Sequence, residues 1–124
     1  MNRPRFLWTP VVGYMAFIFA LSSISHPPTL ANGVDKDAHA VLYAGLGALL
    51  VRAFAGGWRR PVTLAAAIGA VAIAAVYGVS DEYHQSFVPL RQVEALDVLA
   101  DTVGAAAAAL SLYWWDIIRS RHGL

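Results

Sequence analysis

The sequence predicts an all-α fold, an integral membrane four-helix bundle with both termini cytoplasmic. Three observations predict it. Hydrophobic residues fill 58% of the 124 positions and charged residues only 14%, whereas soluble domains run nearer a quarter charged. Four stretches are apolar over a length that suits lipid. The arginines and lysines crowd onto one side of those stretches. The length leaves room for a single domain, residues 1–124. The chain has no cysteine, which excludes disulfides, thiolate catalysis and cysteine metal sites. A formal net charge of +1 says little by itself, and no nucleic-acid partner is expected.

A membrane helix needs roughly 20 mostly apolar residues to cross about 30 Å of hydrocarbon. Spans are expected at about 6–24, 38–55, 62–79 and 96–118. The first, FLWTPVVGYMAFIFALSSI, carries no charge. The second is short and opens with His39 and Tyr43. The third is nearly all Ala, Val, Ile and Gly until Ser80, and the fourth carries Asp97 and Asp101 in its first turns. Backbone groups in lipid must be bonded within their own segment, so helices are expected, and the alternation of barrel strands is absent. Runs of Ala and Gly in the last two spans, with Gly45 and Gly47 in the second, read as close-packing surfaces. The connections are short. SHPPTLANGVDKD offers Pro27-Pro28 and Asn32-Gly33 as turn signals, GGWRRP follows the second span, and Pro89 breaks the helix within HQSFVPLRQVE.

Charge sets the orientation. Arg3, Arg5, Arg52, Arg59, Arg60, Arg119 and Arg121 fall on one side and only Lys36 and Arg91 on the other, seven against two. The positive-inside rule then places both termini in the cytoplasm. Trp8, Trp58, Trp114 and Trp115 sit near the same ends, as an aromatic belt would. A cleaved signal peptide is the alternative reading of the first span, but its apolar run exceeds the usual 7–15-residue core of such peptides.

The acidic residues show the opposite bias. Asp35, Asp37, Asp81, Glu82, Glu94, Asp97 and Asp101 lie at or beneath the outer face, and only Asp116 lies inside. Helical spacing sorts them onto faces. Asp35, His39 and Tyr43 form one stripe on the second span. Asp81, His84 and Gln85 share a face at the end of the third, with Glu82 beside Gln85. Glu94, Asp97 and Asp101 share a face at the start of the fourth, which Gly104 continues inward. The simplest packing turns all three faces towards one another. A carboxylate at a helix centre costs about 2.5–3.5 kcal/mol even on a lenient insertion scale. Asp101 lies about 6–12 Å along its helix from the interface, at the α-helical rise. Such acids must be protonated, bind a cation or face a wet pocket. Crowded carboxylates also resist ionising together, which sets a neutral acid beside an ionised base.

Blander readings stand beside these. Asp35 is placed to cap the second span, and His39 with Tyr43 to form a satisfied core pair. Glu94 reads as rim, Asp37 as solvated, and His84 and His26 as loop residues. Asp101 is the hardest to dismiss, because an acid inside an apolar span is a functional candidate by default.

Two motifs carry a resemblance. DKDAHAVLYAGLGALL and SDEYHQSFVPLRQVEALDVLADTVGA, with the LSSIS end of the first span more weakly, make the chain similar to the VanZ-like family of small bacterial membrane proteins. The resemblance runs over nearly the whole chain and implies a multi-pass protein of the bacterial cytoplasmic membrane. It carries the family's polar positions onto Asp35, Lys36, His39, Tyr43, Asp81, Glu82, Gln85, Arg91, Asp97 and Asp101. The family commonly has Asn where this chain has Asp101. Members are associated with low-level resistance to the glycopeptide teicoplanin, and the resemblance implies no established reaction.

Three functions compete. An enzyme of the outer leaflet would take acid and base from Asp81, Glu82, Asp97 and Asp101, and a proton shuttle from His39. Lys36 and Arg91 would grip a phosphate or carboxylate of a lipid-linked headgroup or cell-wall precursor. A non-catalytic protein would use the same pocket to hold a lipid or antibiotic and alter surface access. A proton or cation pathway fits less well, since no ionisable residue continues through the inner half of any span. Carboxylates suit Mg²⁺ or Ca²⁺, but no established metal spacing is present, and no cofactor is named.

Overall fold

The computed structural model describes residues 3–23, 32–87 and 95–121, with side chains from residue 5 in the first segment and residue 39 in the second. They form four α-helices, α1 (Arg3–Ser22), α2 (Asn32–Ala55), α3 (Leu64–Gln85) and α4 (Ala95–Arg121), with no strand among the described residues. By length and composition α1, α3 and α4 can each cross a membrane. The apolar part of α2, His39–Ala55, is shorter. The fold is an integral membrane four-helix bundle.

Two boundaries differ from those expected. α3 starts at Leu64 and continues past position 79 to Gln85. Thr63 caps its start, accepting the Ala66 N–H on Oγ1 at 3.0 Å. Its far end persists because SDEYHQ contains neither Pro nor Gly, and because its polar side chains find partners on other helices. Asn32-Gly33, expected as a turn, opens α2 instead, and Asn is a favoured residue at helix starts. The other end of α2 is sharp. Gly56 and Gly57 have φ of 94° and 133°, conformations that favour glycine, and both N–H groups bond the Arg52 carbonyl, at 3.0 and 2.9 Å.

Contacts at the two ends make consecutive helices antiparallel. At one end Trp8 of α1 meets Phe54 of α2 edge to face, at 5.2 Å between ring centroids. There too Asp116 Oδ2 of α4 accepts the Val62 N–H just before α3, at 3.1 Å. Asp116 is therefore no stray acid, since its Oδ1 also takes a 2.7 Å bond from Arg119. Arg52 lies 5.9 Å over the Trp58 ring. A cavity of about 220 Å³ opens beside it, lined among others by Arg52, Trp58, Trp115 and Arg119. Among the described residues the arginines thus gather at one end and the buried carboxylates at the other.

Helix α2 packs against all three others, most broadly against α4, while the backbones of α1 and α4 stay more than 8 Å apart at Cα among the described residues. Its core side chains Tyr43, Leu46 and Leu50 are wholly buried, and the facing positions are small: Ala70 and Ala74 on α3, Ala105 and Ala109 on α4. Gly47 lies against the Ala105 backbone and Gly104 against the Ala40 backbone. In lipid no hydrophobic force drives helices together, so close packing of small residues must do it. The Ala and Gly runs serve this role, as expected. Large apolar side chains point outward instead, among them Phe17, Ile68, Val76, Leu99 and Val103, and these face the acyl chains.

Candidate functional site

The carboxylate faces of α3 and α4 turn towards the His39–Tyr43 face of α2. His39, Tyr43, Asp81, Glu82, Gln85, Asp97 and Asp101 are all buried, and Asp101 is 0% exposed. His39 Nδ1 lies 2.7 Å from Asp101 Oδ1, joining α2 to α4. Tyr43 donates its hydroxyl to Asp81 Oδ2 at 3.3 Å, joining α2 to α3. The rings of His39 and Tyr43, one turn apart, lie nearly parallel with an interplanar angle of 11°. Gln85 donates from Nε2 to Ser22 Oγ at 3.2 Å and to Asp81 Oδ2 at 3.4 Å, which brings in α1. All four helices therefore meet at one polar centre.

Local sequence explains how each group arrives. Tyr43 follows His39 by four residues, Gln85 follows Asp81 by four and Asp101 follows Asp97 by four, so each pair shares one helix face. Gly78, one turn before Asp81, makes room for the partner helix. A Cβ there would sit 3.1 Å from Asp101 Oδ2. One ligand atom each from His39, Asp81 and Asp101 lies within 4.8 Å of the others, and the same holds for His39, Glu82 and Asp97.

Seven of the ten candidate residues named from the sequence are thus brought together. Arg91 and the side chains of Asp35 and Lys36 lie outside the described residues, as do Glu94, His26 and the Asp37 side chain.

Three contributors went unassigned in the sequence. Ser22 belongs to the weakly matched LSSIS stretch, and its pairing with Gln85 spans two helices distant in sequence. Gly78 looks like any other packing glycine until Asp101 is set against it. Tyr77 packs beside Tyr43 at 6.3 Å between centroids and donates to the Met15 carbonyl at 2.5 Å. His84 belongs to α3 rather than to a loop. Its ring stacks on Phe19 at 4.1 Å and its Nε2 lies 2.9 Å from Ser23 Oγ, because α3 carries it alongside the end of α1.

Chemically the centre offers an imidazole paired with one carboxylate, a phenol paired with another, and two further acids beside them. A proton can pass between His39 and Asp101, and the remaining oxygens can receive a cation. No curated protein and no solved structure matches the chain. The sequence model of the VanZ/LLP1 family matches residues 3–117, and across that stretch the apolar helices and their shared polar centre form one unit: the chain belongs to the VanZ/LLP1 family.

Proposed function

We propose that the chain acts on a lipid-linked or cell-envelope substrate in the bacterial cytoplasmic membrane, through its carboxylate-rich pocket at the extracytoplasmic face. The observation that carries this reading is the 2.7 Å contact between buried His39 and fully buried Asp101. An imidazole held by a carboxylate inside a low-dielectric site is suited to move a proton in general acid–base chemistry. Asp81, held by Tyr43 and Gln85, and Glu82 and Asp97 beside it supply the second acid or base. Lys36, at the start of the first motif, and Arg91, in the middle of the second, suit a phosphate or carboxylate headgroup. The family resemblance supports a link to resistance against the glycopeptide teicoplanin, and an outer-facing pocket suits it, since such antibiotics target wall precursors outside the membrane.

The test compares Asp97→Asn and Glu82→Gln with the parent chain at equal membrane expression, in a resistance assay and by mass comparison of extracted lipids. Both variants keep shape while losing charge, and both should fold and lose the phenotype. Full activity of both would sink the charged-site reading, and loss of folded protein would favour a structural role.

A second reading is a non-catalytic lipid- or antibiotic-binding protein that alters surface access. It is favoured by the Gln85 bridge between Ser22 and Asp81, which makes a fixed polar floor. An altered lipid in cells carrying the chain supports catalysis. A lipid retained unchanged through purification supports binding.

Orientation is tested separately. Reporter fusions at Asn32 and Arg91 should read extracytoplasmic, and fusions at Gly57 and the C-terminus cytoplasmic, because the basic end follows the positive-inside rule. An external signal at Gly57 would overturn the outer placement of the pocket.

A further inference from the structure

We infer that His39, Asp81 and Asp101 form a binding site for one divalent transition-metal ion, Mn²⁺ or Zn²⁺. The inference deepens the reading above by naming what the pocket holds, and rests on it only in taking the pocket as functional. Proximity comes first: one ligand atom of each residue lies within 4.8 Å of the others, and each residue comes from a different helix. Ligand atoms around a common ion, each about 2.0–2.2 Å from it, stand roughly 3–4 Å apart. Closing that difference takes side-chain adjustments, not a change of fold.

A second observation points to a ligand. Asp101 Oδ2 and Asp81 Oδ1 are buried and accept no hydrogen bond among the described residues, although the residues themselves are only 0% and 3% exposed. Leaving a buried acceptor unsatisfied costs about 1–3 kcal/mol, more for a charged one. These two oxygens lie on facing helices, α3 and α4, at the level where Gly78 gives up its side chain. The proton shared between His39 and Asp101 satisfies only the other Asp101 oxygen. A divalent ion in its place would serve imidazole and both carboxylates at once, and would balance the negative charge that the low-dielectric site concentrates.

The donor set selects the metal. Two carboxylates alone would suit Mg²⁺ or Ca²⁺, but an imidazole nitrogen suits borderline cations, and with no cysteine in the chain thiophilic ions lack their preferred ligand. Three protein donors leave positions open for water or for a substrate oxygen.

The experiment uses the full chain purified in detergent, stripped with chelator, and titrated separately with Zn²⁺, Mn²⁺ and Mg²⁺. Bound metal per chain is measured by elemental mass spectrometry and the melting temperature is followed in parallel. About one equivalent of Zn²⁺ or Mn²⁺ should bind and raise the melting temperature. His39→Gln and Asp81→Asn, both close in size to the parent residues, should each weaken binding about tenfold or more. Asp116→Asn, at the opposite end of the bundle, should bind like the parent chain. Absence of stoichiometric Zn²⁺ or Mn²⁺ in the parent chain overturns the site, and so does binding of Mg²⁺ alone. Undiminished binding in both pocket variants overturns it as well. If either variant fails to fold, the parent titration and the other variant still decide. No substrate enters this measurement: a chain that binds metal but changes no lipid loses the catalytic reading and keeps the site, and the converse result removes the site alone.

Discussion

Gly104→Leu should eliminate the folded protein, and Gly104→Ala should lower its stability by about 1–3 kcal/mol, the usual range for overpacking. At Gly104 the backbone of α4 lies against the backbone of α2. A Cβ there would overlap the Ala40 carbonyl oxygen and stand 2.8 Å from the carbonyl carbon and 2.9 Å from Cα. These are backbone atoms inside a helix and cannot swing aside as a side chain would. The helices would have to separate, and at the same seam a Cβ added to Gly47 would stand 2.8 Å from Ala105 Cα. Separation would pull His39 away from Asp101 as well, so the seam that holds the bundle also sets the site. Gly13→Ala in α1 is the matched control, since nothing lies within 4 Å of its added Cβ. That change should be neutral or slightly stabilising, because Ala exceeds Gly in helix propensity by about 1 kcal/mol. Melting of the detergent-solubilised variants, read as loss of the monodisperse peak on size exclusion, separates the two. A Gly104→Ala protein that melts with the parent chain would show that the seam is looser than described.

Much of this arrangement was legible in the sequence. Four apolar runs marked four helices, because lipid forces each segment to bond its own backbone. The stripes through His39 and Tyr43, through Asp81 and Gln85, and through Asp97 and Asp101 converge as their helical spacing implied. Their shared depth follows from the antiparallel order that short connections impose. What escaped the sequence is tertiary. Hydropathy falls at Ser80, yet α3 continues to Gln85, since its polar groups bond across the bundle to Tyr43 and Ser22. Ser22 carries no local mark of its role, as a serine near a helix end is commonplace. Gly78 resembles the packing glycines until the facing residue is identified as Asp101. Asn32-Gly33 misled because the same pair opens helices and makes turns, and only the chain around it decides which.

Asp101→Leu should abolish function, whereas Asp101→Asn should keep activity within about tenfold of the parent chain. Asp101 is fully buried and makes two kinds of demand on its surroundings. Its Oδ1 lies 2.7 Å from His39 Nδ1, and its Oδ2 faces Gly78 without a hydrogen bond among the described residues. Asparagine keeps the size and one oxygen, so its amide oxygen still accepts from the imidazole. It also removes the repulsion between this carboxylate and Asp97 one turn away, and it gives position 101 the amide that the family resemblance implies. Leucine fills the space but withdraws both oxygens, and His39 then loses the acceptor that orients it. Asp97→Asn should be nearly as damaging as Asp101→Leu, because on this reading Asp97 then supplies the charge on which the acid–base chemistry depends. The three variants are compared in one resistance or lipid assay at equal membrane expression. Should Asp101→Asn prove as inactive as Asp97→Asn, the charge at Asp101 is itself required. The His39–Asp101 pair would then act as an ion pair in function, and an amide at that position would mark relatives that work by different chemistry.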